Sequence, residues 1–175
     1  MTTYVALLRA VNLGKTRKVP MAELRALAEG MGLEHVRTLL QSGNLVFDSD
    51  CEGCDVVERL EMALLDRFGF AVPVILRTAG ELESAAQAHP FGAGEEDPTR
   101  LHVVFYVAEP PPEAIERVAQ REAGPERVTV RGREAYVHYP DGAGRSRLNL
   151  DPLGPGTARN WRTVRALSEM VGPGA

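Results

Sequence analysis

Short apolar runs alternate with amphipathic stretches along the chain, and that rhythm predicts its elements. "TYVALLR" reads as a strand, and "MAELRALAEGMG" sets Met21, Leu24, Leu27, Ala28 and Met31 at helical spacing before a terminal Gly32. "HVRTLL" and "NLVFDS" flank Gln41-Ser42-Gly43, a hairpin signal. "DVVERLEMALLDRFG" predicts a helix with Val57, Leu60, Leu64, Leu65 and Phe68 inward and Gly69 as its stop. "VPVILRT" follows as a fourth strand. The order β-α-β-β-α-β is that of a ferredoxin-like split unit, placed over residues 1–78.

The second half, residues 79–175, predicts another small α+β domain. "AGELESAAQAH" has a helical pattern, "RLHVVFYVA" a strand pattern, and "PPEAIERVAQREAG" is a helix opened by prolines. "ERVTVRG" and "EAYVHYP" form a hairpin around Arg131-Gly132-Arg133, and "FGAGEEDPTR" at 91–100 is a surface linker. "DGAGRSRLNLDPLGPG" is irregular, and "TARNWRTVRALSEMV" predicts a closing helix with Thr157 as its N-cap. The fold class is therefore α+β: a ferredoxin-like first half, a second α+β half and a C-terminal helix. No sequence repeat relates the halves.

Composition adds little to this picture. At 175 residues, with 44% hydrophobic and 25% charged content, the chain suits one globular domain or two small ones. No apolar run approaches the roughly 20 residues that span a bilayer. The start "MTTYVALLRAV" lacks a basic lead and a cleavage site, so a cytoplasmic protein without a membrane partner is expected.

Charge changes the picture more, because it is segregated. Arg9, Lys15, Arg17 and Lys18 fall in residues 9–18 with no acid, whereas residues 48–66 hold seven acids against Arg59. Residues 145–165 hold Arg145, Arg147, Arg159, Arg162 and Arg165 against Asp151. Two basic stretches far apart in sequence are candidates to meet around an anion.

The chain resembles the domain-of-unknown-function 1697 family from end to end. "YVALLRAVNLG", "VPMAELRALAEGMG", "VRTLLQSGNLVFDSD", "RFGFAVPVILRTAGEL", "HPFG", "LHVVF", "GPERV", "GREAYVHYPDGAGRSRLNL" and "TARNWRTVRAL" carry that resemblance. It implies a two-part α+β fold in bacterial cytoplasm and brings no assigned activity. The sequence departs from the family pattern after Asn12, where Leu13-Gly14-Lys15 replaces a run that usually reads Val-Gly-Gly.

Several motifs fail on their own mechanics. Gly14-Lys15-Thr16 ends like a phosphate-binding P-loop, but the residue five before Gly14 is Arg9, a strand residue and not a turn glycine. Pro20, not the Lys-Thr pair, fits the first helical position. Cys51-Glu52-Gly53-Cys54 stands between a strand and a helix, where a thiol pKa falls, but nearby acids oppose this and no second ligand pair completes a zinc site. His35, His89, His102 and His138 are scattered, with His102 and His138 expected in strands and satisfied by hydrogen bonds. "QSGN" is no nucleophile elbow, and Ser42 and Asn44 read as hairpin chemistry. RNA-recognition folds need stacking aromatics on the central strands, and here only Tyr4 and Phe47 are offered.

"GPGTARNW" is the strongest candidate. Thr157 would cap a helix after a Gly-Pro-Gly loop, with Arg159 and Arg162 in a first turn whose dipole disfavours cations and Asn160 along the buried stripe of Val164, Leu167 and Val171. Either Asp141 or Asp151 pairs these arginines internally, or an anionic ligand does. The expected site joins Asn12, Lys15, Arg17 and Lys18 with Arg145, Arg147, Thr157, Arg159 and Asn160 in a cleft between the halves. The expected partner is a small phosphate- or carboxylate-bearing ligand. Single-stranded nucleic acid is the alternative, and an enzyme of unassigned reaction using Asp141, His138 or Asp151 a third. No cofactor and no metal are expected.

The cysteine reading is directly testable. A Cys51→Ser/Cys54→Ser double variant is expected to keep the parent melting temperature, with or without reductant or zinc. A shift of several degrees would overturn it.

Overall fold

The structure is a computed structural model, and it describes residues 1–91, 97–120 and 124–172. Its described residues form an α+β protein with two four-stranded antiparallel sheets and five α-helices. Two compact units divide the chain: Met1–Glu83 with Leu167–Ala175, and Ser84–Ala166.

The first unit runs β1 (Thr2–Leu8), α1 (Met21–Gly30), β2 (Glu34–Leu39), β3 (Asn44–Ser49), α2 (Gly53–Phe68), β4 (Val74–Thr78). This is the β-α-β-β-α-β order that the sequence pattern predicts. The strands lie in the order β2-β3-β1-β4. Tyr4, Ala6 and Leu8 of β1 and Leu45 and Phe47 of β3 share one core with Leu24 and Ala28 of α1 and Val56, Leu60 and Leu64 of α2. Removing a side chain of that size from water contributes about 1.5–3 kcal/mol, so the helical stripes and the strand face hold each other in place. Gly69 ends α2 in the left-handed conformation at φ +75°, as its stop signal requires.

The second unit contains α3 (Ala79–Gln87, which begins within the first), β5 (Leu101–Tyr106), α4 (Pro112–Gln120), β6 (Arg127–Arg131), β7 (Glu134–His138) and β8 (Gly156–Asn160). Its strand order, β6-β7-β5-β8, repeats that of the first sheet position for position. The connection between the third and fourth strands differs. The first unit places α2 there, while the second places only two 3-10 turns, Ala143–Arg145 and Asp151–Leu153. Val104, Tyr106, Ala135 and Val137 on one face of this sheet pack against Ala114 and Val118 of α4 and Leu153 of the second turn. Part of the expected 91–100 linker, residues 92–96, lies outside the described residues, as do residues 121–123 at the end of the expected helix there.

The expected closing helix needs correction. Residues 156–160 are a strand, and the helix α5 is Trp161–Val171. Thr157 and Arg159 pair with Phe105 and Val103 at the edge of the second sheet. The segment alternates with period two, Thr157 and Arg159 being buried and Ala158 exposed, and the helical apolar stripe starts only after it. Thr157 is therefore no N-cap. Asn160 takes that place, its Oδ1 accepting from the Thr163 N–H and from the Thr163 hydroxyl, both at 2.9 Å. The expected cation–dipole conflict at Arg159 disappears with the helix turn that held it.

Gly43 closes the β2–β3 hairpin at φ +77°, and a Cβ there would stand 2.7 Å from Val11 Cγ2 and 2.8 Å from Leu8 Cβ. Gly43→Ala is expected to destabilise by more than about 1 kcal/mol in urea denaturation, since strain and overlap add. Gly32→Ala, also at positive φ but with nothing within 4 Å, should lose less. Equal losses would show that the overlap with β1 does not matter.

Candidate functional site

The basic segment after β1 is a pinned loop. Val11 and Val19 are buried in the first unit's core and anchor its two ends. Between them the Asn12 side chain bridges the backbone: its Nδ2 donates to the carbonyls of Val19 (2.8 Å) and Gln41 (2.7 Å), and its Oδ1 accepts from the Val19 N–H at 2.9 Å. Arg17 clamps the outside, donating from Nε to the Ala10 carbonyl and from Nη2 to the Ala71 carbonyl, with its guanidinium 4.9 Å from the centre of the Phe70 ring. Ala10, Asn12 and Arg17 all take positive φ, between 54° and 56°. Non-glycine residues hold that conformation only where the surroundings over-determine it.

Asn12 and Arg17 are thus engaged with the backbone of their own loop. Arg9, Lys15 and Lys18 are exposed. They make no ion pair among the described residues. At the end of the loop α1 starts after Pro20 with no side-chain cap, leaving first-turn amides open.

The remaining expected residues fall in the second unit. Arg145 and Arg147 are exposed on either side of Ser146, beside a hollow of about 320 Å³ that Glu126 and Asp141 also line. Thr157 and Arg159 are buried in β8, Arg159 Nη1 donating to the Thr157 hydroxyl (2.8 Å) and the Ala158 carbonyl (2.9 Å). Burial pushes the Arg159 guanidinium down to about 10, still charged at neutral pH.

The histidines also differ from expectation. Nδ1 of His102 and of His138 is buried without a hydrogen-bond partner among the described residues. Ring contacts surround them instead, His102 against Tyr139 at 5.3 Å and His138 against Phe91 at 6.1 Å. Burial lowers the His102 pKa, so an uncharged ring fits there. Tyr4 and Phe47 lie in the core and offer no stacking surface. Asn44 is fully buried and donates to the Leu39 carbonyl and the Ser42 hydroxyl, as hairpin chemistry requires.

Sequence reasoning missed a second constellation, on β1, β2 and β3. His35 Nδ1 is 2.8 Å from Asp48 Oδ2, and the Thr3 hydroxyl donates to Asp48 Oδ1 at 2.6 Å. The β2–β3 register shifts between Glu34 and Arg37, and in that bulge His35 takes φ +48°. The group lines a depression of about 760 Å³ with Arg25, Arg37 and Met170. A lone His and a lone Asp 13 positions apart give no local signal; hairpin pairing across a bulge makes the contact.

The family follows from the first three-quarters and more of the chain. Residues 1–136 match the family model described as "Protein of unknown function (DUF1697)". The chain belongs to the DUF1697 family. A solved structure of a conserved bacterial protein from Streptococcus pneumoniae is 25% identical with a TM-score of 0.77, covering 98% of each chain. No curated protein matches. The DUF1697 match contains the basic loop and the His35–Asp48 pair, and it ends before Arg145, Arg147 and β8. Among the described residues no helix is long and apolar enough to cross a membrane, and no cluster of three or more His, Cys, Asp or Glu could hold a metal. Cys51 is half-buried, Cys54 exposed, and both are free thiols.

The Thr3 hydroxyl, and then His35, hold the Asp48 carboxyl below the usual carboxylate range. A depressed folded pKa contributes stability that is fully present above the unfolded value and lost as pH falls through the folded one. Asp48→Asn is accordingly expected to lower stability at pH 7 and to differ little from the parent at about pH 2, as urea denaturation at the two pH values would read. An unchanged midpoint at pH 7 would remove Asp48 from the stabilising groups.

Proposed function

We infer that the protein binds a small anionic ligand, phosphate- or carboxylate-bearing, at the loop between β1 and α1. The carrying observation is the contrast within that loop. Asn12 and Arg17 fix its backbone in a strained shape, while Arg9, Lys15 and Lys18 stand exposed with no ion pair among the described residues. Positive charge held on a pre-set backbone loses little further entropy on binding, which is how preorganisation raises affinity. The uncapped amides at the start of α1 favour the same sign of ligand. In this reading Arg9, Lys15 and Lys18 contact the anion, and Asn12 and Arg17 are positioning residues. Arg145 and Arg147 offer the same chemistry on the second unit.

Single-stranded nucleic acid is the second reading, on the same exposed cations. It needs several phosphates tracked at once, and the buried Tyr4 and Phe47 supply no stacking platform.

Isothermal titration with inorganic phosphate, a nucleoside monophosphate and a short oligothymidylate tests both readings. Lys15→Ala/Lys18→Ala is expected to weaken whichever phosphate ligand binds at least tenfold, since each charge-assisted bond contributes about 1.5–3 kcal/mol, and to leave the melting temperature unchanged. Steep weakening of the oligonucleotide alone between about 50 and 200 mM salt would favour the strand reading. Unaltered binding in the double variant would end the loop assignment.

A further inference from the structure

The depression beside His35 presents an oriented imidazole and a cation together. Each Asp48 oxygen has a partner, Oδ1 the Thr3 hydroxyl and Oδ2 the His35 ring. An ionised carboxylate at Nδ1 holds the ring proton there and turns the Nε2 lone pair outward, as the carboxylate of a catalytic His–Asp pair does. The His35 side chain is 72% exposed, so Nε2 is open to a ligand. Its positive φ belongs to the bulge between Glu34 and Arg37.

Arg37 supplies the second element. Its Nη2 donates to the Met170 carbonyl at 2.8 Å, in the last turn of α5. Its Nε is buried without a partner, and its Nη1 makes no hydrogen bond among the described residues. The other cation of the depression, Arg25, is committed to Glu29 through Nε at 2.8 Å. Arg37 is thus the cation of the depression that forms no ion pair among the described residues, and it keeps a donor for an anion.

We propose that this depression binds a small hydroxyl-bearing oxyanion, carboxylate or phosphate, with Nη1 of Arg37 donating to the oxyanion and Nε2 of His35 accepting from its hydroxyl. The ring keeps its Nδ1–H bond to Asp48, so its other nitrogen stays an acceptor. Arginine suits the other role because its planar donors match an oxyanion. The depression's volume falls within the roughly 300–1,000 Å³ of small-molecule sites. This site is separate from the basic loop and does not depend on it.

Nitrogen-15 NMR of the imidazole groups in the full chain tests both halves, with glycolate as the anionic hydroxyl probe and neutral glycolamide as its control. In its uncharged form, the His35 ring is expected to show a pyrrole-type Nδ1 and a pyridine-type Nε2. Asp48→Asn should mix the tautomers. Glycolate, and not glycolamide, should shift the His35 resonances saturably within tens of millimolar. Arg37→Met should weaken that response at least tenfold and Arg37→Lys partly, while Lys15→Ala/Lys18→Ala leaves it unchanged. A proton on Nε2 in the neutral ring overturns its role as acceptor. Absence of a glycolate response in the parent protein, or its full survival in both Arg37 variants, overturns the site, whatever the phosphate titration of the loop returns.

Discussion

Burial of β1 from Tyr4 to Leu8 is the constraint on which the first unit depends. Tyr4, Val5, Ala6, Leu7 and Leu8 are all buried, so both faces of the strand are covered and neither can slip to solvent. A one-residue shift would exchange its two faces, which fixes the register against β3 and β4. Both candidate sites inherit their positions from that register. At the start of β1, Thr3 lies opposite Asp48. At its end, the Leu8 N–H donates to the Gly43 carbonyl and the Arg9 N–H to the Pro73 carbonyl, and the chain enters the pinned basic loop.

The repeated strand order shows what the architecture does and does not dictate. The pairings β1–β3, β1–β4 and β2–β3 return as β5–β7, β5–β8 and β6–β7, all antiparallel. The connections after the central strands differ in chemistry. After β1 comes a cationic loop; after β5 comes Val107 to Pro111, with two prolines, Glu109 and no cation. The shared core therefore sets strand order, and the candidate chemistry resides in connections that the core does not specify.

Electrostatics separates the arginines by environment. Arg159 is buried in β8, where desolvation lowers its pKa and hydrogen bonds accompany it. Arg17 is exposed, yet its donors are committed to backbone carbonyls and its guanidinium lies over Phe70. Arg37 belongs to neither kind, holding one helix-end carbonyl and lining the depression without an ion pair among the described residues. Residue type alone does not distinguish a structural from a ligand-ready arginine. Carbonyls within reach do.

The apolar periodicity by itself determined most of the elements. The α+β class, the first unit's element order and the β3 limits Asn44–Ser49 follow from local pattern, because strand and helix faces must match their own periods to be buried. The segregated basic loop was legible too, as charge is a property of sequence. Other features required the folded chain. Thr157 to Asn160 carried both a cap signal and a period-two alternation, and pairing with β5 decided for the strand and moved the cap to Asn160. Neither strand order nor the repeat of the first sheet in the second is encoded in any local window, since both rest on contacts far apart in the chain. The His35–Asp48–Thr3 group depends on a bulge and on a strand that reaches it from the other end of the unit's sequence, so only tertiary pairing could bring those side chains together.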